Sequence, residues 1–314
     1  MTTHIIGGAG FIGTAIIDGF RVAGRSDVTV LDRRHRLMRS EPLLRDIRTI
    51  QIDSGFGDAI TKLFQPQDTL IHLGWTAQPA SSMANLTDDI SANIIASVDL
   101  FSKAIDAGIN TIIFASSGGT VYGNTAVTQI AESQPLTPVS AYGAAKISVE
   151  AYLQVLAATR GIDGISFLIC NPYCLYQLNG TPIGLFANFI RCAMENRQAT
   201  VFGNGDKVRD YLAIEDVARA FLLAIDQSIP SGAYNIGSGR GVSIKQVIDI
   251  LNHRLPQPLK VKYSAERSFD AKRVVLDSTK FKSATGWRAE QTLEAGIQGM
   301  IDHASTTGAC DVSD

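Results

Sequence analysis

The stretch Thr3-His4-Ile5-Ile6-Gly7-Gly8-Ala9-Gly10-Phe11-Ile12-Gly13 decides the fold. A short β-branched run enters a glycine loop, and a helical pattern leaves it. Such glycines let the backbone turn tightly and approach a pyrophosphate, whose charge then rests on the N-terminus of the following helix. A glycine loop alone is weak evidence, but here its context matches as well. The next apolar run, Val28–Leu31, ends at Asp32, about twenty residues on, where a carboxylate can accept hydrogen bonds from the adenosine ribose. Gly7, Gly10, Phe11, Ile12, Gly13 and Asp32 are therefore expected to hold a dinucleotide. Asp32 favours NAD, because a 2′-phosphate would face its negative charge. Arg33 and Arg34 follow at once and oppose that preference. Asp53, just after the third strand, stands where the adenine edge would lie.

Outward from this loop, apolar runs alternate with helical patterns. His4–Ile6, Val28–Leu31, Thr49–Ile52, Thr69–Leu73, Thr111–Ala115 and Ile165–Ile169 read as strands buried on both faces. Between them, Ile90, Ile94, Val98, Phe101 and Ile105 form one helical stripe, and a second helix runs from about Ala141 to Thr159. Strand–helix alternation predicts an α/β fold, a Rossmann-type doubly wound parallel sheet covered by helices. After Asn171-Pro172 the pattern changes to turns, short strands and further helices, among them 183–196 and one starting near Ile214. This predicts a dinucleotide-binding domain over 1–170, with returning segments within about 205–240, and a smaller mixed α/β substrate-binding lobe over 171–314.

Composition excludes several function classes. The 314 residues carry 28 Lys and Arg against 30 Asp and Glu, a net charge of -2, which gives no basic field for nucleic acid. Cys170, Cys174, Cys192 and Cys310 are too scattered for a disulfide framework, and no second Cys or His pair follows at zinc spacing, so no metal site is expected. No run reaches the roughly 18 apolar residues of a membrane span, and no leader pattern precedes the first strand; the cytoplasm is the expected compartment. His72, within the fourth strand, reads as a core histidine.

Tyr142-Gly143-Ala144-Ala145-Lys146 places a phenol and an ammonium four positions apart on one helical face. A free phenol, with a pKa near about 10, is a poor base at neutral pH. A neighbouring ammonium and a nicotinamide cation both favour the phenolate. Phe114-Ala115-Ser116-Ser117-Gly118-Gly119-Thr120-Val121-Tyr122-Gly123 ends a strand, where ligands of doubly wound sheets bind, and supplies hydroxyls for a substrate oxygen.

With these motifs the chain resembles the extended short-chain dehydrogenase/reductase family, and within it the nucleotide-sugar epimerases of the UDP-glucose 4-epimerase kind. The resemblance also covers Asn171-Pro172, Val201-Phe202-Gly203-Asn204-Gly205, Arg209-Asp210-Tyr211, Tyr234-Asn235-Ile236-Gly237, Leu276-Asp277 and Gly286-Trp287. It implies that Tyr142 is the base, that Lys146 binds the nicotinamide ribose and lowers the phenol pKa, and that Ser117 assists, with Thr120 in reserve. Counted back from Val121-Tyr122-Gly123, the assisting position falls instead on Gly118. The resemblance further implies that Leu73 borders NAD, that Asn171 contacts a nucleotide sugar, and that Arg209 and Arg267 clamp its diphosphate. Val274, seven residues after Arg267, would border the sugar 2-position and leave room for an acetamido group. The implied reaction is 4-epimerisation of a UDP-sugar, possible also on N-acetylated substrates, through transient oxidation to a 4-keto sugar. Dehydratase relatives carry a carboxylate where this chain has Gly119 and Thr120. A nucleotide-sugar dehydratase or reductase of the same family is the alternative, and a non-catalytic NAD-binding protein the distant one. The helix Ile90–Ala107 and the Tyr142 helix are expected to build a homodimer. Two segments depart from the family's usual wording: His72-Leu73-Gly74-Trp75 where His-Leu-Ala-Ala is common, and Cys174-Leu175-Tyr176 after Asn171-Pro172-Tyr173.

Overall fold

Runs of β-branched and apolar residues too short for helices form the centre of the molecule. In the computed structural model, which describes residues 1–52, 58–79, 81–178, 184–267 and 270–307, they are β1 (Thr3–Ile6), β2 (Val28–Asp32), β3 (Arg48–Gln51), β4 (Thr69–His72), β5 (Thr111–Ser117) and β6 (Asp163–Ile169). β10 (Gly232–Ile236) joins these, and the lobe strands are β7 (Asn171–Tyr173), β8 (Ala199–Phe202), β9 (Val208–Ala213), β11 (Gly241–Ser243), β12 (Val261–Ser264) and β13 (Arg273–Val274). The main sheet is parallel throughout and ordered β10-β6-β5-β4-β1-β2-β3.

Successive side chains point to opposite faces of a strand, and both faces here are buried. Ile5, Ile71 and Ile113 pack with Ile16, Phe20 and Phe221 on one side. Ile6, Leu70, Ile112 and Phe114 pack with Leu100, Phe101, Val149 and Leu153 on the other. The first side is covered by helices Phe11–Val22 and Ile214–Gln227, the second by Ala96–Asp106 and Ala141–Arg160. Strand order reverses between β1 and β4, which opens a crevice at the carboxyl ends of those strands.

The sheet has a seventh strand, β10, which lies within the segments expected to return over about 205–240 and pairs with β6; its five residues lack a periodic pattern long enough to mark them as a strand in advance. One reading of the sequence is refined. The apolar stripe on the helix before β5 meets the core only in part: Phe101 is buried and Ile94 and Ile105 pack against the core, but its first turn faces out. Ile90 is 48% exposed and Ile95 60%, while Asn93, Ser97, Leu100, Phe101 and Ala104 are buried. A π-helical stretch at Ile90–Ile95 changes the angle per residue there. Asn93 is buried because its carboxamide is engaged, accepting from Thr76 N (3.0 Å) and donating to an Asp89 oxygen (2.9 Å).

In the lobe, β11, β9 and β13 form a small sheet joined by β7, and β8 pairs with β12. Its core gathers Phe186, Phe189, Ile190, Val201, Val247, Leu251 and Ile297. Asp210, on β9, ties this lobe to the sheet. Its carboxylate accepts from Ser238 N (2.9 Å), Ser238 Oγ (2.5 Å), Gly239 N (3.1 Å) and Leu276 N (3.1 Å). Among the described residues, no helix is long and apolar enough to cross a membrane.

Candidate active site

The glycine loop shows by its packing why it needs glycine. A Cβ at Gly7, whose φ is +76°, would lie 2.6 Å from Gly74 N, and one at Gly13 would lie 2.3 Å from Gly8 O. The helix therefore starts directly against the end of β1. Phe11 and Ile12 form its first turn and pack against the core. Asp32 is buried at the end of β2, accepting from Ala9 N (3.0 Å) and from Arg33 N (2.7 Å), so the carboxylate borders the loop. Arg33 and Arg34 are exposed on the far side of it. Leu73 continues β4 beside the loop, donating its N–H to Ile6 O at 2.9 Å. Asp53 lies outside the described residues. These features suit a dinucleotide: a tight loop, a free helix N-terminus and a buried carboxylate about one strand away.

Beside the crevice, Ser140 caps the helix Ala141–Arg160, its Oγ accepting from Gly143 N at 3.2 Å. That cap sets the rotation of the helix, so Tyr142 and Lys146 face the carboxyl end of β5. The Tyr142 phenol is hydrogen-bonded to Ser117. Burial pushes the phenol up to about 12; the Ser117 hydrogen bond works against burial, and Asp89 adds to it. The Lys146 ammonium donates to Ala115 O at 2.7 Å and lies 5.6 Å from the Tyr142 ring. Burial brings Lys146 down to about 7, against the pull of Glu150 and Asp89.

Of the two registers for the assisting hydroxyl, geometry separates Ser117 from position 118. A Cβ at Gly118 would meet Leu276 Cδ1 at 2.5 Å and Leu168 O at 2.9 Å, leaving no room for a side chain. Thr120 Oγ1 turns back to Ser117 O at 3.4 Å. Gly119 faces Asn171: a Cβ there would lie 3.8 Å from Asn171 Oδ1 and 3.9 Å from Ser117 Oγ. Asn171 thus stands close to the hydroxyl, with its Nδ2 donating to Asp210 O at 3.2 Å.

Beyond Asn171 opens a cavity of about 320 Å³ within the lobe, lined by Phe202, Lys207, Arg209, Tyr211 and Arg267 among others. Arg209 is held by its own strand, donating to Val208 O at 2.9 Å, and burial lowers its pKa. The Arg267 guanidinium stacks 3.4 Å over the Phe202 ring, which fixes the plane of its donor fork. Val274 is not on this wall. It is fully buried on β13 in the apolar core, paired in register with Arg209. Nothing at this position supports the expectation that it borders a sugar substituent: Val274 is fully buried and is not among the residues that line the cavity.

Three features were not foreseen. Glu150, one turn beyond Lys146, accepts from Ser116 Oγ, and burial raises its carboxyl to about 7; the Lys–Glu spacing of four was its only sequence signal. Lys207 is buried beside the arginines, with Nζ 3.3 Å from Glu266 and 3.4 Å from Asp270. Tyr122 donates to Asn235 Oδ1 at 2.8 Å, and Asn235 Nδ2 donates to Ile130 O, so both motif residues brace the loop after β5. His72 is a core residue as expected, its Nε2 2.8 Å from Ser97 Oγ, with burial lowering its pKa to about 3.

Over nearly its whole length the chain is similar to nucleotide-sugar enzymes. A UDP-glucose 4-epimerase of Thermotoga maritima, solved with UDP-glucose, is 31% identical, covers 98% of this chain and 99% of its own, and superposes with a TM-score of 0.88. A dTDP-4-dehydro-6-deoxyglucose reductase of Escherichia coli is 29% identical over 304 residues, 95% of each chain. A UDP-glucose 4-epimerase of Mycolicibacterium smegmatis is 26% identical over 309 residues, 96% of this chain and 98% of its own. Residues 3–237 match the profile of the NAD dependent epimerase/dehydratase family, and the chain, an NAD-dependent enzyme of Rossmann-type fold, belongs to that family.

Proposed function

We propose that the protein is a UDP-sugar 4-epimerase. Tyr142, as phenolate, takes the proton of the sugar 4-hydroxyl while the Ser117 hydroxyl holds the same oxygen. When bound, NAD would supply a reversible hydride acceptor at carbon 4, and Tyr142 would give its proton back to the same oxygen as the opposite face of that carbon is reduced. Lys146 stabilises the phenolate by charge and donates to the nicotinamide ribose. Gly7, Gly10 and Gly13, with Asp32 at the adenosine ribose, hold the rest of the cofactor. Asn171 orients the sugar, and Arg209 and Arg267 grip the diphosphate, whose oxygens suit their forked donors. One observation carries epimerase over dehydratase: between Ser117, bonded to Tyr142, and Tyr122 stand only Gly118, Gly119, Thr120 and Val121, with no carboxylate for proton work on the neighbouring carbon.

The test is incubation with UDP-glucose, UDP-N-acetylglucosamine, UDP-glucuronate and the corresponding dTDP-sugars without added reductant, with products read by NMR. Accumulation of the 4-epimer at equilibrium supports the reading. A 4,6-dehydrated product, or turnover only with stoichiometric NADH or NADPH, overturns it. The panel reads tolerance of the 2-substituent directly, since Val274 lies behind the wall. A net reductase is the second reading, favoured by the Arg36 Nη1, which lies 3.6 Å from where a Gly10 Cβ would stand and could meet a cofactor phosphate.

A homodimer belongs to the same proposal. Leu86, Ile90 and Ile95 are 52%, 48% and 60% exposed, and Tyr152 and Val155, on the helix that packs beside them, are 51% and 58% exposed. A second copy would cover this apolar face. Light scattering should give twice the chain mass, and Ile95→Asp with Val155→Asp should give a monomer; a monomeric wild type at micromolar concentration refutes it.

A further inference from the structure

The chain leaves β4 through Leu73-Gly74-Trp75. Gly74 lies hard against Gly7, so Trp75 stands at the crevice between β1 and β4 that the cofactor must cross. Lys146 Nζ is 3.7 Å from the Trp75 ring centroid. The indole also meets the Tyr142 ring edge-on, at 5.9 Å and 70°, and the Phe114 ring at 5.9 Å. Its Nε1 is enclosed and has no acceptor among the described residues. A buried donor without an acceptor is costly and calls for an explanation, such as a ligand oxygen that satisfies it.

We propose that Trp75 positions Lys146 and forms a wall of the nicotinamide-ribose subsite. Its face seats the ammonium against the Ala115 carbonyl, and its N–H is a donor for an oxygen of the nicotinamide nucleotide half of the cofactor. The inference rests on the reading of Lys146 as a cofactor-binding residue. The ammonium is faced by Tyr142 and Glu150 from its own helix, by His72 from β4, by Phe114 from β5 and by Asp89 from the segment Leu86–Asp89. Among these, the indole is the ring closest to Nζ, and an aromatic face favours the charged form of the amine.

The experiment uses the enzyme stripped of cofactor. Trp287, the other tryptophan, is buried and donates to Asp216 O at 3.0 Å, so Trp287→Phe leaves Trp75 as the only indole. Titration of that variant with NAD should quench its emission saturably, and unchanged emission overturns the proposal. By calorimetry, Trp75→Leu should weaken NAD binding about tenfold and Trp75→Phe, which keeps a ring but no donor, about threefold. In turnover, Trp75→Leu should bring the alkaline limb, where the ammonium is lost, to lower pH, and Trp75→Phe should restore most of it. The KM for nucleotide sugar should not move. Wild-type NAD affinity in Trp75→Phe removes the donor role, and a wild-type alkaline limb in Trp75→Leu removes the positioning role. If Trp75→Leu does not fold, the emission titration and Trp75→Phe decide. Saturable quenching in a protein that epimerises nothing would sink the proposed function and leave this inference standing.

Discussion

Lys146→Met tests the electrostatic core of the site, because methionine keeps the unbranched apolar stem and deletes the charge. Burial holds the Tyr142 phenol at about 12, far too high for a base at neutral pH. The ammonium lies 5.6 Å from the Tyr142 ring. While the ammonium is charged, up to about pH 7, two unit charges at that separation interact by about 3 kcal/mol at an effective dielectric of about 20. At about 1.36 kcal/mol per pH unit, this is worth about two units on the phenol. Turnover needs the phenolate, so a higher phenol pKa moves the acid limb of the kcat profile upward. The variant should show that limb about two pH units higher, with activity at neutral pH down about a hundredfold and recovering as pH rises. The assay is kcat against pH at saturating NAD and nucleotide sugar, with NAD affinity measured separately because Lys146 should also bind the ribose. An acid limb that stays within about half a unit of wild type, with turnover lowered equally at every pH, would refute the argument and reduce Lys146 to a cofactor ligand.

Arg209→Ala and Arg267→Ala should each weaken nucleotide-sugar binding by about 1.5–3 kcal/mol, the range for charged hydrogen bonds, and leave NAD affinity alone; unchanged substrate affinity in both would place the diphosphate elsewhere. Asp210→Ala removes the acceptor of three backbone N–H groups and one hydroxyl, so urea unfolding should show a loss of about 3 kcal/mol or more, and a loss below about 1 kcal/mol would mean that water replaces the carboxylate. Val274→Tyr should overpack a fully buried strand position and destabilise by about 1–3 kcal/mol; normal stability with altered sugar selectivity would return this residue to the cavity wall.

The sequence alone determined the α/β class, the doubly wound sheet, the dinucleotide loop with Asp32, and Tyr142 with Lys146. Each of these is a local pattern: a strand–loop–helix junction is contiguous, and a four-residue spacing is set by one helix turn. Tertiary structure decided what depends on packing between distant segments. That position 118 has no room for a side chain depends on Leu276, which no local count could bring beside Gly118. Val274 looked like a cavity residue by counting from Arg267, but it is fully buried in the apolar core, packed by segments distant in the chain. The exposed apolar face at Leu86–Ile95 arose from a π-helical stretch that shifts the helical angle, while Asn93 and Ser97 went inside because hydrogen bonds to Thr76 and His72 awaited them. The cage of Trp75, Phe114 and Tyr142 around Lys146 draws on β4, β5 and a helix far along the chain. A sequence states which residues can turn, alternate or share a helical face; only the closing of the sheet decides which of them meet, because contacts between strands are set by register and burial rather than by distance along the chain.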